Sequence, residues 1–361
     1  MSLSIGIVGL PNVGKSTLFN ALTDSNILAA NYPFATIEPN TGIVPVPDPR
    51  LQKLADMYGS QKILPATVTF VDIAGLVAGA STGEGLGNQF LSHIRSCNAI
   101  CQVVRAFDDP DVLRSDSSKD PVHDIDVIVT ELVLADMQTV EKRLPRVNKE
   151  ARSDPKLKPA ADTLNRIQEL FDGGIPLWKN PEMLEAYQEH LSDLQLMTAK
   201  PILYLFNLDD DQLSDSAKKK QLSDLVAPAP AVFVSAKLED ELRGLDNADH
   251  MEMLESYGQN EPGLNKVIHS AYELLGLQSY LTAGEKEVRA WTIKKGYTAP
   301  QAAGVIHGDF ERGFIAAQIV NYDDLITAGS EQAAKSAGKM RTEGKTYIMQ
   351  PGDVVEFRFN V

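Results

Sequence analysis

The chain contains little cysteine, little tryptophan and no long hydrophobic segment. It has 361 residues, of which 2 are cysteines and 2 are tryptophans. Cys97 and Cys101 are spaced as neither a C-x-x-C redox pair nor a zinc-binding pair, so we expect two thiols in the core. The apolar runs are much shorter than a membrane span, and no basic-then-apolar leader is recognisable. These features predict a cytoplasmic protein without a membrane partner.

Basic residues are scarce relative to acidic ones. The chain has 34 Lys and Arg against 49 Asp and Glu, a net charge of −15, while residues 277–361 contain 10 of each sign. The entire acidic excess therefore precedes residue 277. An acidic surface argues against DNA as a partner and against nucleic-acid binding over the whole surface. It predicts a separate, neutral C-terminal module, and any contact with RNA is expected to be local.

A nucleotide-binding motif lies close to the N-terminus. Residues 9–17 read G-L-P-N-V-G-K-S-T, preceded by a strand-like segment and followed by helix-forming residues. In a strand–loop–helix of this pattern, backbone N–H groups surround the phosphates, the lysine contacts the β- and γ-phosphates and the next hydroxyl binds Mg²⁺. Lys15 is thus both a binding and a catalytic candidate. The predicted nucleotide-binding residues here are Asn12, Val13, Gly14, Lys15, Ser16 and Thr17.

Two later segments are predicted to complete the phosphate and Mg²⁺ site. The strand-like residues 67–71 end at Asp72, an arrangement that presents a carboxylate to Mg²⁺. Asp72 opens a D-x-x-G sequence, and we expect the Gly75 backbone N–H to act catalytically at the γ-phosphate. Thr36, in a loop rich in Pro and Asn, is the second predicted hydroxyl ligand of Mg²⁺. Leu76 stands where Ras-type GTPases have a water-orienting glutamine, which predicts slow hydrolysis by the isolated protein.

Polar residues also follow two later strand-like segments. Residues 202–206 run into N-L-D-D, and residues 231–234 run into S-A-K. A doubly wound sheet binds its ligand outside the carboxyl ends of its strands. The order of these segments therefore predicts an α/β P-loop NTPase fold with a mostly parallel, doubly wound sheet. The residues predicted to contact the purine are Asn207, Leu208, Asp210, Ser235 and Ala236.

The remaining sequence predicts two further structural regions. Residues 124–199 have helical spacing, which predicts an inserted antiparallel hairpin. No heptad repeat is long enough for a dimeric coiled coil, so we expect a monomer. Residues 277–361 predict a small α+β domain. The nucleotide-binding domain is then expected to comprise residues 1–123 and 200–276. The strands predicted in the C-terminal domain are 287–293, 314–322, 345–349 and 354–359.

Three stretches carry a resemblance to a known family. They are N-Y-P-F-A-T-I-E-P-N at 31–40, D-I-A-G-L-V-A-G-A at 72–80 and G-D-V-V-E-F-R-F-N-V at 352–361. With the P-loop, they resemble the YchF family, Obg-related P-loop NTPases also called ribosome-binding ATPases. The resemblance covers nearly the whole chain. It implies a nucleotide domain, an inserted helical hairpin and a β-grasp-like TGS domain. It also implies Mg²⁺-dependent ATP hydrolysis and association with the ribosome, through rRNA or ribosomal proteins.

Several positions depart from the family pattern. Asp210 stands where the family usually has glutamate, and Ser235 with the following Ala-Lys is closer to the GTPase pattern. Leu208, by contrast, replaces the lysine that packs on guanine. Arg114 aligns with a histidine proposed to act in hydrolysis, and arginine cannot serve as a general base. Arg114 is expected to be either a solvated loop residue or a group that stabilises phosphoryl charge. ATP is the first expectation, and GTP is the alternative.

Two other functions remain open at this level. Leu76 and Arg114 are compatible with a nucleotide-binding scaffold of negligible turnover. A P-loop kinase is disfavoured, because it should lack both D-x-x-G and the predicted purine-contacting residues. Asn12 matches the P-loop asparagine that coordinates K⁺ in relatives with a hydrophobic residue at the glutamine position. K⁺ is therefore a predicted second cofactor beside Mg²⁺.

Overall fold

The computed structural model describes residues 3–24, 40–73, 86–109, 112, 120–243, 245 and 247–360. The chain divides into two compact units. The first comprises Met1–Val44 and Thr69–Leu275, and the second comprises Pro45–Val68 and Gly276–Val361. None of the helices in the described ranges is both long and apolar enough to cross a membrane.

Strands and helices are numbered in chain order. The strands are β1 (Ser4–Val8), β2 (Thr41–Pro45), β3 (Ile63–Leu64), β4 (Thr67–Asp72), β5 (Ala99–Arg105), β6 (Ile202–Asn207), β7 (Ala231–Val234), β8 (Leu277–Ala283), β9 (Val288–Lys294), β10 (Phe314–Asn321), β11 (Arg341–Glu343) and β12 (Asp353–Phe359). The helices are α1 (Lys15–Asp24), α2 (Pro49–Tyr58), α3 (Leu86–Ser96), α4 (Pro121–Ser153), α5 (Lys158–Asp172), α6 (Pro181–His190), α7 (Ser216–Val226), α8 (Ala236–Glu241), α9 (Asn247–Ser256), α10 (Gly263–Leu274), α11 (Ala299–Ile306), α12 (Gly308–Arg312), α13 (Tyr322–Ala328) and α14 (Glu331–Ser336). Short 3-10 helices lie at Pro155–Leu157, Leu177–Lys179, Ser192–Leu194, Met197–Ala199 and Asp210–Ser214.

The first unit is built on a sheet with the strand order β2-β4-β1-β5-β6-β7. β4, β1, β5, β6 and β7 run parallel to one another. Every residue of β5 and β6 is buried, as expected for central strands of a parallel sheet covered on both faces. The strand order reverses direction at β1, which places the loop after β1 at a ligand-binding crevice. The predicted α/β fold is confirmed.

The helical region expected at residues 124–199 is observed as α4, α5 and α6. α4 and α5 pack against each other, and α6 packs against α5. Near the base of the hairpin, the buried Asp136 carboxylate accepts hydrogen bonds from Met197 N (2.9 Å), Thr198 N (2.7 Å) and Thr198 Oγ1 (2.8 Å). The helical region belongs to the first of the two compact units. Its treatment as a separate domain remains a prediction.

The second unit contains a mixed sheet with the order β11-β10-β12-β8-β9-β3. β8 pairs antiparallel with β9, β10 pairs antiparallel with β11 and β12, and β12 and β8 are parallel. α11 packs against β9 and β10, while α2 packs against β8 and β9. The core under α11 contains Tyr280, Ile293, Ala302, Phe314 and Ile319. An α+β C-terminal region is therefore present, and its identity as a TGS domain remains a prediction.

Residues 45–68 correct the predicted domain boundaries. The sequence placed them in the nucleotide-binding domain, but they belong to the second unit. β3 pairs in parallel with β9, joining Ile63 to Val288 and Leu64 to Arg289. α2 buries Leu51 and Leu54 as part of this unit. Pairing between segments more than 200 residues apart leaves no local sequence signal, because neither segment shows which partner it will meet.

One strand prediction in the C-terminal region is wrong, and two strands were missed. Residues 345–349 form no strand. Tyr347 O instead accepts a hydrogen bond from Ala299 N (2.8 Å), and Met349 N donates to Tyr297 O (3.0 Å), so the apolar pattern fills the core from an irregular segment. The strands β8 and β11 were not predicted. By contrast, Cys97 and Cys101 are buried free thiols as expected, and burial raises the pKa of Cys101 to about 12.

Candidate nucleotide-binding site

The loop between β1 and α1 passes close to two other segments of the first unit. Asn12 (φ 62°) and Gly14 (φ 94°) both have left-handed backbone conformations. A Cβ on Gly14 would lie 2.3 Å from Asn207 Nδ2, and one on Gly9 would lie 2.9 Å from Val103 O. Only glycine fits these two positions. The first turn of α1 follows directly, and its N–H groups lack partners within the helix, which makes the loop a site for phosphate.

Lys15 and Asp72 meet at the carboxyl ends of adjacent strands. The register of β1 and β4 places Ile7 beside Asp72. Lys15 is buried, and its ammonium donates a hydrogen bond to Asp72 Oδ1. Asp72 N donates to Asn40 O (2.8 Å), which fixes the end of β4. A cavity of about 580 Å³ lies over this pair. Its lining residues are Leu10, Pro11, Asn12, Gly14, Lys15, Ser16, Thr17, Asn40 and Asp72.

Asn207 connects the phosphate loop to the segment that follows β7. Its side chain is buried, Nδ2 donates to Val13 O (3.0 Å), and Oδ1 accepts from Ala236 N (2.9 Å). The sequence predicted only a purine contact for this residue. A carboxamide has two hydrogens on nitrogen and two lone pairs on oxygen, so one of each is left for a ligand. Asn207 therefore positions Val13 and Ala236, and it still has the groups needed to contact a purine.

Asp210 has a partner within the chain. Ser235 Oγ donates a hydrogen bond to Asp210 Oδ1 and accepts one from Leu238 N (3.3 Å), so Ser235 is also the N-cap of α8. Lys237 Nζ lies 4.0 Å from Asp210 Oδ2. Ser235 is buried, and the Asp210 side chain is 16% exposed. The carboxylate is thus held by hydroxyl and ammonium groups of its own chain without help from a purine.

These residues surround a second cavity, of about 870 Å³. Asn12, Gly14 and Thr17 line both this cavity and the one over Lys15, so the two adjoin. Its other lining residues are Phe107, Asp108, Asp109, Val112, Asn207, Leu208, Asp209, Asp210, Asp211, Gln212, Ser235, Ala236, Lys237 and Tyr257. All the predicted purine-contacting residues are among them. The arrangement can hold an elongated anion with a phosphate end at Lys15 and a planar end near Ala236.

Two aromatic residues that line this cavity, Phe107 and Tyr257, were not predicted from the sequence. Phe107 comes two residues after the end of β5, and the Arg105 guanidinium lies 4.3 Å from its ring centre. The rule that ligands bind at the carboxyl ends of parallel strands should have identified Phe107. Tyr257 follows α9 and belongs to no motif, so its position depends on how α9 packs. Both side chains are partly exposed.

Glu239 supports the segment of Ser235 and Ala236, which lines the larger cavity. It lies on α8 and is 5% exposed, and its Oε1 accepts a hydrogen bond from Gly263 N (2.6 Å) at the start of α10. Burial raises the pKa of Glu239 to about 7, against the lowering effect of hydrogen bonds from Gly263 N and Leu264 N and of the Lys266 charge. This carboxyl group therefore fixes α8 to α10 behind Ser235 and Ala236.

Four predicted site residues lie outside the described residues: Thr36, Gly75, Leu76 and Arg114. Their proposed roles at Mg²⁺ and the γ-phosphate stay predictions. Within the described ranges, no cluster of three His, Cys, Asp or Glu residues suited to a metal ion occurs. A Mg²⁺ site here would have to combine the Asp72 carboxylate with hydroxyl groups and water.

Comparison with known proteins identifies two regions of the chain with family models. A model described as "50S ribosome-binding GTPase" matches residues 4–143. The YchF-GTPase_C model, described as a protein of unknown function, matches residues 277–360. The first region contains β1 to β5 with the phosphate loop and Asp72, and the second contains β8 to β12.

Full-length relatives were also found. The chain is 50% identical to the "Ribosome-binding ATPase YchF" of Bacillus subtilis and 49% identical to that of Haemophilus influenzae, covering 100% of both chains in each case. It is 43% identical to "Obg-like ATPase 1" of Rattus norvegicus, covering 99% of this chain and 93% of the relative. The solved structure of the Schizosaccharomyces pombe YchF GTPase matches with a TM-score of 0.85 and 38% identity, over 99% of this chain and 98% of that one.

Proposed function

Because the chain belongs to the YchF family of P-loop nucleotide hydrolases, we propose that it hydrolyses Mg²⁺–ATP to ADP and phosphate as a switch that associates with the ribosome. The names of its bacterial relatives, which cover the whole chain, support both ATP and the ribosome. The proposed partner is rRNA or a ribosomal protein, and the proposed location is the cytoplasm. The proposed oligomeric state is a monomer.

The observation that carries this proposal is the pair of adjoining cavities. One is lined by Lys15 and Asp72, the other by Asp210 and Ser235, and both are lined by Gly14. A nucleoside triphosphate has a polyanionic phosphate end and a planar base at its other end. The two adjoining cavities offer one environment for each. A kinase would need the first environment equally, but the combination with an Asn207-centred purine site matches a switch-type hydrolase.

The residues at the phosphate end suit Mg²⁺. Ser16 and Asp72 line the same cavity, and Mg²⁺ prefers carboxylate, hydroxyl and water oxygens. Lys15 and Asp72 neutralise each other in the structure. With nucleotide bound, Lys15 would turn to the β- and γ-phosphates, while Asp72, Ser16 and Thr36 would hold the metal. Bound Mg²⁺ supplies neutralisation of the charge that develops on the phosphate oxygens.

The proposed hydrolysis depends on charge stabilisation, because Leu76 cannot orient a water molecule. Lys15 and the Gly75 N–H would stabilise the charge that accumulates on the phosphate during cleavage. Arg114 is not assigned a step. Asn12 has a left-handed conformation at the tip of the phosphate loop, and we propose its side chain as a K⁺ ligand. Turnover by the isolated protein is therefore expected to be slow and to rise with K⁺ and with ribosomes.

ATP is preferred because Asp210 is already paired. Guanine would offer N1–H and N2–H donors to a carboxylate, whereas adenine offers none at those positions. In this chain the Asp210 carboxylate accepts from Ser235 Oγ and faces Lys237. It therefore does not depend on guanine to satisfy it, and binding adenine leaves no unpaired charge. Leu208, buried and without a lysine's long stem, offers no guanine platform.

GTP hydrolysis is the second candidate function. Aspartate rather than glutamate at position 210 favours guanine, and the matched fission-yeast structure is named a GTPase. If Asp210 exchanged Ser235 Oγ for the guanine N–H groups, the site would bind GTP without rearranging Asn207. The balance between the two nucleotides depends on that exchange.

Steady-state hydrolysis by the purified chain tests the proposal. Release of phosphate from ATP should be abolished by Lys15→Ala, should be faster in K⁺ than in Na⁺ at equal ionic strength, and should rise again with ribosomes. Equal rates for parent and Lys15→Ala would contradict the assigned site. Tight nucleotide binding without turnover under every condition would instead identify a nucleotide-binding scaffold.

A further inference from the structure

The end of the α4–α5 hairpin carries a concentration of positive charge found nowhere else in this acidic chain. Residues 142–158, here called the basic tip, contain 7 Lys and Arg and 2 Asp and Glu. The other 344 residues contain 27 basic and 47 acidic side chains. The tip therefore has a net charge of +5 and the remainder −20. One fifth of the cations lie in one twentieth of the chain.

These cations point outward from a well-packed support. Lys142, Lys149 and Arg152 lie at positions i, i+7 and i+10 of α4, on one side of the helix, and all three are exposed. Beyond the helix, Lys156 and Lys158 are exposed as well. In the described part of the chain none of these five has an ion-pair partner. Arg146 pairs with Glu150 (2.8 Å) and Arg143 with Asp193 (3.4 Å).

The hairpin beneath the tip is internally fixed. Val147 is buried between the helices, Asn165 Nδ2 donates to Asn148 Oδ1 (3.1 Å), and Asn148 Nδ2 donates to Asn165 Oδ1 (3.4 Å). Asp154 caps the 3-10 turn through Lys156 N (3.0 Å). The cations are thus presented on a rigid element at the far end of α4, which is about 50 Å long at 1.5 Å per residue.

From this geometry we propose that the basic tip binds the phosphate backbone of ribosomal RNA, a step that rests on the proposed association with the ribosome. Unpaired Lys and Arg at regular helical spacing are suited to phosphate oxygens. The tip contains no aromatic side chain on which a base could stack, so the contact proposed here is with the phosphates.

The charge distribution also orients the molecule. RNA phosphates repel the acidic remainder of the first unit and attract the basic tip, so this unit should approach RNA with the α4–α5 hairpin first. The neutral C-terminal residues 277–361 contribute no comparable attraction. Pro121, the first residue of α4, lines a cavity together with Asp209 and Gln212, which also line the larger nucleotide cavity, so the nucleotide site lies at the opposite end of α4 from the tip.

The test compares two triple variants of the full-length protein with equal charge change. Lys142→Gln/Lys149→Gln/Arg152→Gln neutralises the tip. Lys53→Gln/Lys294→Gln/Lys335→Gln removes exposed cations of the second unit and is the matched control. Both should hydrolyse ATP at the parent rate without ribosomes, because none of these residues lines the nucleotide cavities. Binding is measured to a fluorescently labelled RNA duplex across a salt series and to purified ribosomes by cosedimentation.

The tip variant should bind the duplex roughly a hundredfold more weakly at about 0.1 M salt, with the slope of log K against log salt reduced by about 2 to 3. Its cosedimentation with ribosomes should fall in parallel, and the control should match the parent. A tip variant that binds RNA and ribosomes like the parent would overturn the proposal. So would loss of ribosome binding when the parent binds no free RNA, since that result would indicate an acidic protein partner. Tip-dependent RNA binding without ribosome binding by the parent would uphold the tip and refute the proposed function.

Discussion

Asn207 is the residue on which the two ends of the nucleotide site depend. Its amide hydrogen-bonds to Val13 O on one side and Ala236 N on the other, and Gly14 lies against it because no Cβ intervenes. The phosphate loop and the start of α8, where a purine contact is proposed, are therefore fixed relative to each other. Even a small side-chain change at the contact between Gly14 and Asn207 should therefore weaken nucleotide binding strongly.

Gly14→Ala tests this contact. The added Cβ would meet Asn207 Nδ2 at 2.3 Å, and φ of 94° is unfavourable for alanine. We expect ATP affinity, measured by titration calorimetry, to fall at least about tenfold and the free energy of unfolding to fall by about 2–4 kcal/mol.

Gly59→Ala is the matched control for the backbone effect. Gly59 also has a positive φ, 64°, but a Cβ there meets no atom within 4 Å. It should cost only about 1 kcal/mol of stability and leave ATP binding unchanged. Equal loss of ATP affinity in both variants would show that the Asn207 contact has no special role.

Ser235→Ala should weaken the preference for ATP. Removing the hydroxyl leaves Asp210 Oδ1 without its donor, and a partly buried acceptor oxygen without a donor costs about 1–3 kcal/mol. Guanine donors would recover part of that cost, so the ratio of the GTP to the ATP dissociation constant should fall by roughly tenfold. Ser235→Thr retains the hydroxyl and should retain the ratio. An unchanged ratio in Ser235→Ala would exclude this pairing as the cause of selectivity.

At the residue level, the phosphate site was more predictable than the purine site. The phosphate loop is contiguous, so its spacing alone indicates Lys15 and Ser16, and Asp72 follows from a strand ending in a carboxylate. The second role of Asn207 and the presence of Tyr257 depend on segments far apart in the chain. No pattern in the sequence states that the phosphate loop will pack against the end of β6.

Among the secondary-structure elements, α8 and α10 are joined by a buried carboxyl group. Glu239 on α8 accepts a hydrogen bond from Gly263 N at the start of α10. In the folded protein its pKa is about 7, raised from 4.5 by burial. Between these two pH values the folded protein holds a proton that the unfolded chain has released. Stability is therefore lost as pH rises through this window.

Glu239→Gln should remove this pH dependence. The difference in unfolding free energy between variant and parent should change by about 2–3 kcal/mol between pH 4.5 and pH 8, in favour of the variant at high pH. Denaturant unfolding at several pH values measures it. Burial also raises the pKa of Asp136 to about 6. The pH dependence of the parent's unfolding free energy therefore contains contributions from both carboxyl groups, and only the difference between variant and parent isolates Glu239. A pH-independent difference between the two proteins would contradict the raised pKa of Glu239.

The elements of the parallel sheet were predicted well, and those of the C-terminal sheet less well. Continuous apolar segments such as β5 and β6 are buried on both faces, which is a strong local signal. In the C-terminal region, residues 345–349 alternate like a strand but pair with the segment before α11. β8 was missed because its alternation is interrupted by Gln278, Ser279 and Thr282. The tertiary contacts of residues 345–349 and of β8, not their local sequence pattern, therefore determine their structure.

At the scale of the whole molecule, the chain passes from the first unit into the second at residue 45 and returns to the first unit after residue 68. Val46 N donates to Ala66 O (2.8 Å), so the two ends of the excursion are adjacent. Between them, α2 buries Leu51, Leu54 and Ala55, and β3 extends the sheet of the second unit. The sequence contains no signal for these boundaries, because the chain changes unit within the strands β2 and β4 and not in a linker.

This arrangement predicts that deleting residues 277–361 alone exposes the apolar face of α2. The truncated protein should bind hydrophobic dye and aggregate, whereas a second truncation with residues 47–65 also replaced by a short glycine linker should stay monomeric and bind ATP. Size-exclusion chromatography and ATP titration of both proteins make the comparison. Identical behaviour of the two truncations would show that residues 45–68 do not depend on the C-terminal segment.

Paired calorimetric titrations of the intact protein with Mg²⁺–ATP and Mg²⁺–GTP test whether this site is an ATP site with modest selectivity over GTP. We expect a smaller dissociation constant for ATP, because Ser235 and Lys237 satisfy Asp210 and leave Asn207 to contact adenine. A dissociation constant for GTP about tenfold below that for ATP, equivalent to about 1.4 kcal/mol, would contradict it and make Asp210 a guanine ligand.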